Sequence, residues 1–270
     1  MQISIKTLCF YLFFYLSNNL VGQTPNPLID KKNIFDQQRW VDSIYSKLSL
    51  EEKVGQLFMP MVFTERDSSH FHFTLNLIKK YKVGGLVFSL GGPVEQTKWL
   101  NAFQRESKVP LMTAMDAEWG VAMRLDSVMP FPWPMTLGAI KDSTLLRKIG
   151  KRMGMQEKRL GIHYSFGPTL DINTNPKNPI IGNRSYGSSP DRVIRQALAI
   201  MKGHQEAGIL TSGKHFPGHG DTSKDSHKTL PTVSFSSKRL KEVEFEPYRR
   251  LINSGLTSVM VAHLNVPSIS

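Results

Sequence analysis

The chain has 270 residues, 40% of them hydrophobic, a formal net charge of +12 and a single cysteine. That is enough apolar material for one large domain or two small ones with a substantial core. The basic excess raises nucleic acid as a partner. However, Lys79-Lys80, Lys151-Arg152 and Arg249-Arg250 are scattered rather than gathered beside a reading motif, so they read as solvated helix faces and no nucleic-acid partner is expected.

The elements follow in chain order. Lys6 precedes a short apolar run over 8–16, with small and polar residues after it up to Gly22. This is the pattern of a secretory signal peptide over 1–22, and the run is too short to span a bilayer. Cys9 lies inside it without the flanking residues of a lipoprotein site, so the mature chain is expected to lack cysteine, disulfides and Cys-based metal sites. The expectation is a secreted or periplasmic protein with no stable membrane span after cleavage. Residues 23–47 read as a linker with Pro25 and Pro27, followed by a helix with apolar residues at helical spacing. Ser49 with Glu52 then forms a capping box that opens a further helix.

From residue 48 the pattern alternates. Strand-like runs cover 57–63, 83–90, 110–115, 162–170, 209–212 and 256–262. Helix-like runs cover 75–81, 93–107, 143–160, 190–206 and 238–254. Such alternation predicts a parallel sheet wrapped by helices. Polar residues gather just after strand ends: Asp116, Asp171, Lys214, His215 and His263. That is where a (β/α)8 barrel of the TIM type builds its active site. The competing doubly wound sheet would carry an early Gly-rich phosphate turn after a strand, and none is present. Six strands precede the last residue where a barrel needs eight, so the expected fold is α/β of the (β/α)8 type, truncated after about the sixth strand.

The richest chemistry lies in 213–231, where three histidines (His215, His219, His227), two aspartates (Asp221, Asp225) and further lysines surround a Pro-Gly turn. Asp225 stands two residues before His227. It could hold one ring nitrogen and make the other a positioned proton donor, or the pair could be an Asx-type turn with a surface histidine. Asp116 can accept bonds from adjacent sugar hydroxyls and Arg124 can donate to them. Arg184 stands in a Gly-flanked loop, and Lys214 and His215 add donors. A metal hydrolase is a rival because of the His/Asp crowding, yet no His-Glu-x-x-His helix appears; no metal and no cofactor is expected. His204 and His163 read as structural, His70 and His72 as solvent-facing loop residues, and His263 as an even choice. Trp119 leans to packing over stacking on a sugar.

Several segments together resemble glycoside hydrolase family 3, in its β-N-acetylhexosaminidase branch. They are Asp116 through Arg124, the stretch Phe131-Pro132-Trp133-Pro134, the run from Phe166 to Asp171, the loop Asn183 through Gly187, and Lys214 through Gly220 followed by Asp225-Ser226-His227. The resemblance runs over 48–267, and the Asp-Ser-His loop is its most specific part. It implies a barrel domain over 48–270 whose Asp116, Arg124, Arg184, Lys214 and His215 line the subsite for an N-acetylglucosamine-containing saccharide. His227 would be the acid/base with Asp225 as partner, and an aspartate after the seventh strand would be the nucleophile of a retaining mechanism. That strand lies past Ser270, so the 270 residues are expected to be inactive alone, with a C-terminal domain also missing. A phosphorylase on the same fold, or a non-catalytic sugar-binding protein, are the alternatives.

Overall fold

The computed structural model describes residues 33–224 and 229–269. The expected leader, Asp225 and His227 lie outside the described residues.

Helix α1 (Ile34–Tyr45) carries the expected apolar spacing but buries none of its residues. A capping box then opens α2 (Leu50–Gly55): the Ser49 hydroxyl accepts from the Glu52 N–H, and the Ser49 N–H donates to the Glu52 carboxylate. Two of the orphan donors at the helix start are thereby satisfied.

The alternation becomes β1 (Met61–Val62), α3 (Ser68–Tyr81), β2 (Gly85–Phe88), α4 (Pro93–Glu106), β3 (Met112–Met115), α5 (Pro134–Gly138), α6 (Ser143–Arg159), β4 (Tyr164–Ser165), α7 (Pro190–Ala207), β5 (Leu210–Phe216), α8 (Phe245–Asn253) and β6 (Ser258–Val261). All six strands are parallel and pair in sequence order, β1 to β6. Each helix returns the chain to the same end of the sheet, so every strand's C-terminal end points the same way. The sheet is not closed: β1 and β6 are its edges. This is a (β/α)8-type arrangement carried through six strands.

Two apolar clusters hold the helices on the sheet. One gathers Ile78, Phe103 and Leu111 with Leu86 and Phe88 of β2 and Met115 of β3. The other joins α6 to α7 and α8 through Leu146, Met153, Val193, Met201 and Leu251, all without exposed surface. Full burial stabilises by roughly 1.5–3 kcal/mol for each such side chain. The α6–α7 crossing is close because Gly150 lies on the Ile200 backbone and Gly203 on the Arg147 and Lys151 backbone.

Three expectations need correction. The run over 162–170 ladders as a strand only at Tyr164–Ser165, because Pro168 has no N–H to give; the chain nevertheless continues beside β5 through Ser212 N–H to Gly167 O and Leu170 N–H to Lys214 O. Strand β5 runs to Phe216, so Lys214 and His215 lie within it rather than after its end. The helix over 238–254 is broken: one turn (Ser237–Arg239) leads into a π-helical stretch (Leu240–Glu244) before α8, and the added residue per turn brings Arg239 to Glu244 at 3.1 Å. Among the described residues no helix is long and apolar enough to cross a membrane.

Candidate active site

Four chain segments meet at the C-terminal ends of β3, β4 and β5. Asp116 is the first residue after β3 and Glu118 follows two positions on. In extended backbone that spacing puts two side chains on one face. Asp171 ends the segment beyond β4, and Arg184 closes a short 3-10 turn (Gly182–Arg184). Lys214 and His215 come from β5, where the pairing with β6 passes from Lys214 to Phe216 and skips His215. A bulge of this kind re-aims a side chain that regular pleating would turn away.

The side chains form one continuous network. Arg124 donates to Asp116 Oδ2 at 2.7 Å. The Lys214 ammonium lies 2.6 Å from Asp116 Oδ1 and 2.8 Å from Glu118 Oε1. Arg184 forks onto Glu118, with Nε at 2.9 Å from Oε2 and a terminal nitrogen at 2.6 Å from Oε1. The same nitrogen reaches His215 Nε2 at 3.2 Å, and His215 Nδ1 lies 2.7 Å from Asp171 Oδ2. Arginine can only donate, so Nε2 of His215 is the acceptor and the ring hydrogen sits on Nδ1, donated to Asp171. Asp171 also accepts the His219 N–H at 2.6 Å and the His215 N–H at 3.2 Å.

Cations and anions alternate along this chain of contacts, and burial decides their roles. Lys214 is 1% exposed, and the Glu118 and Asp171 side chains are fully covered. Buried charges persist only when paired and hydrogen-bonded. Burial alone would push the Glu118 carboxyl up, but Lys214 and the Arg184 fork overcome it and hold it far below the usual carboxylate range. Asp116 is also held low: burial opposes, while Lys214 and Arg124 win. For Asp171 burial again opposes, and His215 with the His219 N–H wins. Burial pushes Arg184 down, but the Glu118 contacts outweigh that and raise it. Asp116 and Arg124 keep 21% and 25% of their side-chain surface. The rim of the cluster therefore presents a carboxylate and a guanidinium side by side, an acceptor-and-donor pair suited to adjacent hydroxyl groups.

All five expected binding residues, Asp116, Arg124, Arg184, Lys214 and His215, fall into this single network. Sequence reading singled out neither Glu118 as a member nor the extent of Asp171's role; the i, i+2 spacing of Glu118 from Asp116 was the available signal. His163 accepts the Thr113 N–H and packs, and His204 lies buried against Glu157 at 3.5 Å, so both are structural. His70 needs correction: it belongs to α3, is half-buried and accepts the Phe63 N–H, because helix α3 starts earlier than the apolar spacing suggested. His263 is exposed beyond β6. Trp119 packs, stacked on Trp133. Among the described residues no group of three or more His, Cys, Asp or Glu could hold a metal ion. An apolar hollow of about 660 Å³ beside Leu50, Val54, Phe58 and Tyr81 lies at the opposite, N-terminal end of the strands.

Residues 49–270 match the glycosyl hydrolase family 3 N-terminal domain. Beta-hexosaminidase A of Pseudoalteromonas piscicida is 32% identical over 207 residues, 72% of this chain and 35% of that protein. Beta-hexosaminidase LpqI of Mycobacterium tuberculosis is 32% identical over 232 residues, 83% of this chain and 57% of that protein. The chain thus spans between about a third and somewhat over half of these relatives' length. Among solved structures, a family 3 β-N-acetylglucosaminidase from Paenibacillus superposes with a TM-score of 0.76 at 38% identity, over 83% of this chain and 43% of that one. A β-glucoside phosphorylase superposes with a TM-score of 0.82 at 27% identity, over 93% and 44%.

Proposed function

The chain belongs to glycosyl hydrolase family 3, and from that membership and the geometry of the cluster we propose that the whole protein is a retaining exo-β-N-acetylglucosaminidase acting on cell-wall or chitin-derived saccharides. The observation that carries this reading is the unbroken Arg124–Asp116–Lys214–Glu118–Arg184–His215 network at the C-terminal strand ends. In this proposal Asp116 and Arg124 grip adjacent hydroxyls of the terminal sugar. Lys214 and Arg184 supply further donors from the covered side, with Glu118 holding both and His215, itself fixed by Asp171, bracing Arg184.

His227 is the proposed acid/base and Asp225 the carboxylate that orients it, in the segment that follows Gly220. The nucleophilic aspartate belongs to chain beyond residue 270. It attacks the anomeric carbon while His227 protonates the departing oxygen; water then releases the sugar with His227 acting as base. A histidine that has given up its proton is neutral, so it does not repel an incoming anion. For that reason, and because the likeness to a β-glucoside phosphorylase is close in shape, phosphate in place of water is the second reading. Export to the periplasm or outside the cell is part of the proposal, on the ground of the leader-like sequence pattern over 1–22.

The test is turnover by the full-length gene product of aryl N-acetyl-β-glucosaminide against aryl β-glucoside, with and without phosphate. Preference for the N-acetyl substrate, independent of phosphate, is the expected result. A preference for the glucoside would overturn the branch, and dependence on phosphate would favour the second reading. The 270 residues alone are expected to be silent.

A further inference from the structure

Trp119 directly follows Glu118, and Trp133 directly precedes α5. Their rings stack with centroids 4.2 Å apart and planes 11° from parallel. The backbone fixes this pair beside the charged network. The Phe131 N–H donates to the Trp119 carbonyl at 3.2 Å, tying the two arms of the loop together. Gly120 takes φ of +83°, a conformation glycine adopts without strain, and a side chain there would meet the Phe131 ring. At the far end of α5, Gly138 rests on the backbone of Tyr186, two residues past Arg184. The stacked indoles are therefore bracketed between the loop bearing Glu118 and the loop bearing Arg184.

The two rings differ in exposure. Trp119 is half-buried, whereas Trp133 leaves 45% of its surface in water. Packing accounts for the inner ring and for one face of the outer one. It gives no reason to hold a second flat apolar face in solvent at the rim of a polar site. A ring already stacked loses little further freedom when another flat partner covers it, and such preorganisation favours binding. The C–H face of a pyranose is a partner of that shape, with its hydroxyls at the edge free for polar contacts.

We propose that the Trp119–Trp133 stack is a platform for the sugar on the leaving-group side of the scissile bond, with Trp133 as the contact face. The assignment rests on the glycosidase reading for the identity of the bond cleaved, but on none of the residues that hold the terminal sugar. It makes the stack a determinant of preference for oligosaccharides over glycosides with small leaving groups.

The experiment uses the full-length gene product with Trp133→Ala and Trp133→Phe, assayed on N,N′-diacetylchitobiose and on methyl N-acetyl-β-glucosaminide. Alanine is expected to raise KM for the disaccharide roughly three- to tenfold, as loss of one aromatic face implies. The methyl glycoside leaves the platform empty and should stay within about twofold, while phenylalanine restores most of the disaccharide KM. Equal losses on both substrates would make Trp133 a structural prop and overturn the proposal, as would no loss on either. A wild-type protein that cleaves neither glycoside sinks the glycosidase reading by itself. The platform is then decided by tryptophan fluorescence during titration with the disaccharide: a saturable change lost in Trp133→Ala supports it, and no change in the wild type overturns it.

Discussion

Glu118 is the residue on which the electrostatics of the cluster turn. Among the described residues it is the one anion touching both Lys214 and Arg184, and it has no exposed side-chain surface. Glu118→Gln keeps the shape but leaves two buried cations facing a neutral amide, a change expected to cost about 3 kcal/mol in urea unfolding at neutral pH. The pH dependence has a definite sign. The Asp116, Glu118 and Asp171 carboxyls are all depressed in the folded state. Their contribution is complete above the unfolded value of about 4 and drains away as pH falls through the folded values. The wild type should therefore lose urea resistance steeply below about pH 4, and Glu118→Gln should flatten that descent. Parallel curves for the two proteins would remove Glu118 from the coupling. At His227 the expectation concerns chemistry rather than stability. In the full-length protein His227→Ala should slow substrates with poor leaving groups at least about a hundredfold and those with good ones far less, because only the former need a proton. Equal losses would argue against the acid role.

Among the elements, α6 and α7 illustrate what sequence can and cannot supply. Their boundaries were legible: Asp142 caps α6 by accepting from Thr144 and Leu145, and Pro190 begins α7 where a missing N–H does no harm. Their closeness was not legible, because a glycine inside a helix reads only as a weak helix former. Gly203 meets the backbone of Arg147 and Lys151 directly, so Gly203→Ala must push the helices apart. The expected loss is about 1–3 kcal/mol, against a gain below about 1 kcal/mol from helix propensity. A thermal midpoint lowered by roughly 3–10 °C would agree; a raised midpoint would mean that the crossing can relax. The π-helical turn was hidden for a related reason. Its signal is an i, i+5 pairing of Arg239 with buried Glu244, which no helical periodicity contains. Strand β5 extended past its apolar run into Lys214 and His215 because the polar cluster, and not an apolar face, buries Lys214 and half-buries His215. Hydrophobic patterning therefore located all six strands, began the first too early at 57, ran past the end of β4, and stopped short only at β5, where the functional residues lie.

For the whole molecule the decisive feature is the sheet with two edges. Along β1 and the segment leading into it, Leu57 is 81% exposed, Phe58 59% and Met61 47%; on β6, Val261 is 69% exposed. An uncovered edge offers a row of unpaired backbone donors and acceptors, and apolar side chains beside it favour pairing with another chain. The apolar hollow next to Leu50 and Phe58 adds to the β1 side. The relatives that this chain matches are longer, and the chain spans only 35% of one and 57% of another. Produced by itself, the 270-residue chain is therefore expected to self-associate, with a mean mass in light scattering that rises with protein concentration. Charge placed at the edge should suppress this. Phe58→Lys with Val261→Lys should bring the mass toward that of one chain, while a double substitution of equal charge on exposed α6, at Leu145 and Met155, should not. If both pairs act alike, net charge rather than the edges governs association. If the wild type is already monodisperse at one chain's mass, the open edges do not drive association in solution.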